Sequence, residues 1–326
     1  MSDRIAIAVL TGGYSGEAPI SRKSASMVMQ HIDPQRYEAT LIHIDPSGWW
    51  IEEHGEKKTV DLSILKDVKR NFAGAFVMVH GTPGEDGKLQ AELEAHGIRH
   101  TTGDSTCMAL TFHKAHTNAV LREEGIHVAE SEVIEVGQAW NCKALVAKLG
   151  LPCFVKPNEA GSSLGISRVE REDELDDAIT SALQIGTAGV LVESLLQGRE
   201  FSVGIIPDAQ GKPEALPVTE IRTDRVFFDY TAKYDGESEE ITPAELDELD
   251  RSKLQALALA VYRATRCRGL ARVDMMLVPG TTPFVIEVNS VPGFSGESII
   301  PKQCRAHGLT ETALISRIID HTLLID

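Results

Sequence analysis

Cysteine is scarce in this sequence of 326 residues, with five in all, at positions 107, 142, 153, 267 and 304, and no C-x-x-C pair among them. An odd, scattered set argues against a disulfide framework or a cysteine zinc site, and it predicts reduced thiols in a cytoplasmic protein. Cys153, inside the apolar stretch "LPCFVK", reads as a core thiol. Long apolar runs are missing as well: no stretch approaches the roughly 20 residues that span a bilayer. The opening "MSDRIAIAVL" runs straight into a strand, without the layout of a signal peptide. Positive charge is in deficit. A total of 32 Lys and Arg against 48 Asp and Glu gives a net charge of -16, which sets the chain against nucleic acid and anionic membranes as partners and leaves only local basic patches for a small anion.

What is present fits a soluble globular chain of two or three domains, with 42% hydrophobic and 25% charged residues. The first segment alternates strand, Gly-rich turn, helix and strand: "RIAIAVL", "TGGYSGE", residues 21 to 31, then "YEATLIHID". "AGAFVMVHG" and the helix "KLQAELEAHG" continue the pattern, which predicts an open parallel α/β domain over residues 1–105. Further on, "PCFVKPNEAGSSLGISRV" reads as two strands joined by a polar, Gly-rich loop. "GLARVDMMLV" and "PFVIEVNS" read as a second hairpin, preceded by an amphipathic helix over residues 244 to 265.

The last of these strands carries the strongest chemical signal. Glu287 and Asn289, two apart, share one face of a strand, and hairpin pairing brings Asp274 toward them. Three oxygen donors without His or Cys describe a hard-cation site, namely magnesium. The competing reading is an ion pair between Asp274 and Arg272, which lies on the same face. Lys156, at a strand end before Gly161, Ser162, Ser163 and Gly165, offers one cation and close backbone N–H groups, as polyphosphate requires, or else forms a surface turn. This is not a Walker A loop, because the Lys precedes the glycines. Gly12, Gly13 and Gly16 do not make the dinucleotide spacing G-x-G-x-x-G. Glu17, opening the next helix, is either a helix-dipole partner or a carboxylate facing the cleft beyond the strand ends, and position favours the cleft. "HGTPGEDG" ends another strand at that edge and makes His80 a weak candidate.

"HGTPGEDG", "KPNEAGSSLG", "FFDYTAKY", "RVDMML" and "EVNSVPGFSGES", in this order, resemble the D-alanine:D-alanine ligases of the ATP-grasp superfamily over nearly the whole chain. The resemblance implies an N-terminal α/β domain (1–105) followed by a two-lobed ATP-grasp fold: a small lobe (106–192) and a C-terminal lobe (193–326) with a mobile loop over 222–242. It implies a homodimer that joins two D-alanines at the cost of ATP, with two magnesium ions or manganese in their place, through an acyl phosphate. Asp274, Glu287 and Asn289 match the metal ligands. Lys114, Lys156, Ser162, Ser163 and Lys233 match the groups around the ATP phosphates, Glu193 and Glu200 those around the nucleoside. Glu17 and His80 match the first D-alanine subsite, Ser298 with the Pro292-Gly293 turn the second, and Arg272 the group that stabilises the acyl phosphate. Tyr234 matches a loop tyrosine that joins Ser162 and Glu17 on closure.

The sequence departs from that family's pattern at His113, Ala160 and Pro19, none of them a catalytic group. Two other classes fit parts of the chain: a ligase with another acceptor, such as D-lactate, and a nucleotide-binding module without activity. The second has no use for Arg272.

Overall fold

The computed structural model describes residues 4–67, 70–161, 164–186, 188–223 and 238–324. The chain begins with β1 (Ile5–Gly12), α1 (Ala18–His31), β2 (Tyr37–Asp45), β3 (Gly48–Glu53), β4 (Glu56–Val60) and β5 (Phe72–Met78). They form one sheet in the order β4-β3-β2-β1-β5. Ile7, Ala8, Val9 and Leu10 are all fully buried, as expected of a central strand covered on both faces. β1 runs parallel to β2 and β5. β3 and β4 are antiparallel additions that the purely parallel expectation missed. The cause is local: Asp45 Oδ1 accepts the Ser47 N–H at 2.8 Å and Gly48 takes φ 121°, so the chain reverses at once and leaves no room for a crossover.

Three helices follow: α2 (Lys88–Ala95), α3 (Ser105–Phe112) and α4 (Lys114–Glu123). The next unit contains β6 (Ser131–Ile134), α5 (Cys142–Leu149), β7 (Cys153–Pro157), β8 (Ser167–Val169), α6 (Leu175–Ile185) and β9 (Val190–Ser194). Its sheet, ordered β6-β9-β7-β8, is antiparallel throughout, and the expected hairpin is present as β7 with β8. Leu145, Leu149, Ile179 and Ala182 of the two helices pack on Val155 and Val192.

The last part comprises β10 (Arg199–Pro207), β11 (Pro213–Ala215), β12 (Thr219–Thr223), β13 (Ser238–Ile241), α7 (Glu248–Ala264), β14 (Ala271–Leu277), β15 (Phe284–Asn289), α8 (Ile299–Ala306) and α9 (Glu311–Thr322). The sheet order is β13-β12-β10-β14-β15, with β11 beside β10. Of the expected loop over 222–242, both ends are strand and residues 224–237 lie outside the described residues. Leu254, Ala258 and Val261 of α7 cover Phe201, Val203, Val273 and Met275 on one face of the sheet. On the opposite face Glu200, Ser202, Arg272, Asp274, Glu287 and Asn289 are polar, while Ile206 nearer the strand end joins an apolar cluster with Ile300. Helix α9 returns to the first sheet, where Asp320 accepts hydrogen bonds from Tyr37 (2.7 Å) and Arg36. One apolar cluster therefore joins Val9 and Phe76 to Phe294, Leu314 and Ile318. That shared core fixes the edge of the first sheet against the strands that carry the polar face.

Candidate active site

A cleft of about 950 Å³ opens between the sheets. Its floor follows from strand pairing. Across β14 and β15, Arg272 is opposite Asn289 and Asp274 is opposite Glu287. Alternation then puts all four side chains on one face as a two-by-two block. Val273 and Val288, between them, point into the core and are 0% and 7% exposed. Neighbouring β10 extends the block, since Ser202 pairs with Asp274 and Glu200 sits two residues further along the same face.

The block is internally bonded. Arg272 grips Asp274 through two parallel hydrogen bonds, Nε to Oδ1 at 2.9 Å and Nη2 to Oδ2 at 2.7 Å. Asp274 also accepts from Ser202 Oγ and from Asn289 Nδ2 (2.9 Å). The ion pair that competed with the cation reading therefore exists, but it leaves Glu287 and the Asn289 carboxamide oxygen facing the same cleft. Burial works against the Arg272 charge, yet Asp274 and then Glu287 hold the guanidinium above its ordinary range. As a donor set, two carboxylates and an amide oxygen on rigid strands fit a hard cation such as magnesium. Among the described residues no cluster of three His, Cys, Asp or Glu side chains offers an alternative metal site.

Lys156, on β7, meets Glu193 of β9 at 2.5 Å. Burial alone would lower its pKa, but the Glu193 carboxylate outweighs that and raises it, so the lysine stays charged. Glu193 accepts a second hydrogen bond from Asn118 Nδ2 at 3.0 Å. Lys114 opens α4 and donates to the Ala160 carbonyl at 2.7 Å, which tethers the Gly-rich loop to that helix. The substituted His113 caps the helix, its Nδ1 accepting the His116 N–H at 3.3 Å, a role an aspartate fills equally well. Ala160 contributes only its backbone there.

Glu17 closes the far wall. A Cβ at Gly161 would sit 2.6 Å and 2.7 Å from its two carboxylate oxygens, and one at Gly81 would sit 2.8 Å from Oε2. Two loops thus approach Glu17 so closely that a side chain at either position would displace its carboxylate. His80 is 4% exposed. Ser24 Oγ accepts the Phe294 N–H at 3.1 Å and lies 2.9 Å from His80 Nε2. Burial lowers the His80 pKa to about 4, and the ring is neutral at ordinary pH. Ser298 precedes α8, accepts the Ser295 N–H at 3.0 Å, and lines the cleft with Gly293. The open N–H groups of the first helical turn beside it suit a carboxylate.

Of the residues singled out in sequence, Glu17, His80, Lys114, Lys156, Glu193, Glu200, Arg272, Asp274, Glu287, Asn289, Gly293 and Ser298 all line this one cleft. Ser162, Ser163, Lys233 and Tyr234 lie outside the described residues. Sequence reading missed Glu85, whose carboxylate accepts the Gly81 N–H at 2.7 Å. Withdrawal from water, with Glu17 and then Glu287 nearby, pushes its pKa up. Its only sequence signal was membership of "HGTPGEDG", where an acid among glycines also reads as a turn. Ser202, too, looked like an ordinary strand residue.

Comparison with known proteins agrees with this geometry. The family profile "D-ala D-ala ligase C-terminus" matches residues 120–320, and "D-ala D-ala ligase N-terminus" matches residues 6–73. A D-alanine–D-alanine ligase of Christiangramia forsetii is 41% identical over 328 residues, covering 99% of both chains. The D-alanine–D-alanine ligase of Bacillus anthracis complexed with ATP has a TM-score of 0.80 at 28% identity, covering 98% of this chain and 97% of the other. The VanG D-Ala:D-Ser ligase of Enterococcus faecalis has a TM-score of 0.85 at 30% identity, covering 98% and 99%. With both profiles matched in order and a relative of this identity aligned end to end, the chain belongs to the D-alanine–D-alanine ligase family.

Proposed function

We infer that this protein joins two D-alanines into D-alanyl-D-alanine, a peptidoglycan precursor, with ATP as the energy source. The observation that carries this reading is the two-by-two polar block of Arg272, Asp274, Glu287 and Asn289, on a sheet whose other face is core. A binding module has no need of a buried arginine amid carboxylates at the floor of its cleft.

The chemistry can be assigned group by group. Lys114 and Lys156, with backbone N–H groups of the loop from Gly161, hold the ATP phosphates, while Glu193 and Glu200 hold the nucleoside. Asp274, Glu287 and Asn289 hold magnesium, as two ions or with manganese in their place, which would neutralise the transferring phosphoryl oxygens. Glu17 takes the ammonium of the first D-alanine, with neutral His80 beside it. The Arg272 guanidinium, oriented by Asp274, has its remaining N–H groups for the oxygens that gain charge when the first carboxylate is phosphorylated and the second amine attacks. Ser298 and Gly293 receive the second carboxylate. Ser162, Ser163, Lys233 and Tyr234 keep the roles that the motifs imply. Three units, at 1–105, 106–192 and 193–326, a homodimer and a cytoplasmic location carry over from the resemblance; no helix among the described residues is long and apolar enough to cross a membrane.

The test is ADP release with and without D-alanine, followed by mass spectrometry of the product from mixed D-alanine, D-serine and D-lactate. Dipeptide as the main product is expected. ADP release that ignores D-alanine would overturn the ligase reading, and a mixed product with D-serine or D-lactate would reassign the second substrate.

A further inference from the structure

Outside the cleft, two thiols lie together. Cys107 on α3 and Cys267, in the turn between α7 and β14, are 160 positions apart, yet their Sγ atoms are 3.8 Å apart, with the Cys107 S–H directed at the Cys267 sulfur. The segments that carry them are tied independently of the thiols. Arg268 donates to the carbonyls of Thr102 (3.1 Å) and His100 (2.9 Å), and the Cys267 N–H donates to Tyr262 O at 3.0 Å. Thr265 Oγ1 lies 3.3 Å from Cys267 Sγ and 2.9 Å from Val261 O, so its proton can turn to either. A disulfide needs sulfurs about 2.05 Å apart, so the pair would have to close by under about 2 Å.

The two residues differ in their surroundings. Cys267 is half-buried between the exposed Arg266 and Arg268, whereas Cys107 is 2% exposed. The hydrogen bond from Cys107 holds the Cys267 thiol below its ordinary range against burial, while the same bond and burial push Cys107 up. Two sulfurs already in contact, one of them on a residue at the protein surface, are the arrangement in which one thiol is oxidised and its neighbour resolves it.

We propose that Cys107 and Cys267 form a peroxide-reactive dithiol that closes to an intramolecular disulfide. The Cys267 thiolate attacks one oxygen of hydrogen peroxide; the O–O bond breaks and hydroxide leaves, becoming water with the thiol's proton. Cys107 then attacks the Cys267 sulfenic sulfur, the S–O bond breaks, and the second hydroxide leaves as water with the Cys107 proton. Two thiols are oxidised, and one peroxide is reduced to two waters.

The experiment treats the reduced full-length protein with hydrogen peroxide, then alkylates with iodoacetamide in denaturant and reads intact mass and peptides. The expected result is loss of two of the five alkylatable thiols, their recovery with dithiothreitol, and a linked peptide containing Cys107 and Cys267. In Cys107→Ser, dimedone should trap a sulfenic acid at Cys267 about tenfold faster than at the half-buried Cys142, with ligase turnover before peroxide unchanged. Preferential oxidation of Cys142, or thiol loss without a link between Cys107 and Cys267, would overturn the proposal. The wild-type thiol count decides the matter even where the variant does not fold.

Discussion

Arg272 and Asp274, two residues apart on one strand face, are joined by a pair of parallel hydrogen bonds at 2.9 Å and 2.7 Å. The group assigned to developing anionic charge and a group assigned to the metal are therefore one electrostatic unit. Lysine cannot reproduce that fork. Arg272→Lys is expected to lower kcat by about a hundredfold or more, with ATP affinity within a few-fold of wild type. Asp274→Asn leaves Arg272 buried without its carboxylate and should cost about 3 kcal/mol in a urea melt. Normal turnover by a folded Arg272→Lys protein would remove the arginine from the mechanism.

Glu287 stands directly opposite Asp274, and its Oε1 accepts from Asn289 Nδ2 at 3.4 Å. It is the second carboxylate of the block. Glu287→Gln keeps the shape and should reduce turnover by about a hundredfold, or roughly 3 kcal/mol, and raise the magnesium concentration needed for half-maximal rate. Unfolding midpoints should match wild type. An unchanged magnesium requirement would reassign the metal to other groups.

The close approach of Gly161 to Glu17 gives a steric test. A methyl at position 161 would meet both Glu17 oxygens below 3 Å, and the carboxylate, as the movable end of a side chain, must yield before the backbone does. Gly161→Ala is therefore expected to raise the KM for the first D-alanine by about tenfold, the worth of roughly 1.4 kcal/mol of misplaced ion pairing, while thermal stability holds. Kinetics with D-alanine varied at saturating ATP make the measurement, and an unaltered KM would dissociate Glu17 from the first subsite.

His80 predicts a pH dependence of stability. Its folded pKa, lowered to about 4 by burial, lies below the ordinary value of 6.5. Between those values the unfolded chain binds the proton and the folded chain does not, so stability falls as pH falls from 6.5 toward 4. The loss from pH 7 to pH 4.5 should reach about 2 kcal/mol for this group. His80→Gln should show a correspondingly shallower slope in urea melts across that range, whatever its stability at pH 7; parallel slopes would mean that the ring is protonated in the folded protein.

Residue order alone makes most elements and the polar residues of the cleft legible. Alternation in "FVIEVN" requires Glu287 and Asn289 to share a face, and the two-strand reading of "RVDMML" with it brings Asp274 toward them. The glycines around Lys156 likewise announce a backbone that something approaches closely. Register and distance were beyond it. That Asp274 falls directly opposite Glu287, that Ser202 joins them from a strand some 70 positions earlier, and that Glu85 is pushed toward its neutral form all depend on which strands become neighbours and on how much water they exclude. The same holds for the first sheet, where a two-residue reversal after Asp45 added antiparallel strands that a helix–strand alternation did not foresee. Cys107 and Cys267 are the extreme case: each reads as a lone thiol, and only packing brings their sulfurs to 3.8 Å. Side-chain type and period are local properties of the chain, whereas pairing, burial and electrostatic coupling arise between segments distant in sequence, and so the tertiary structure alone decides them.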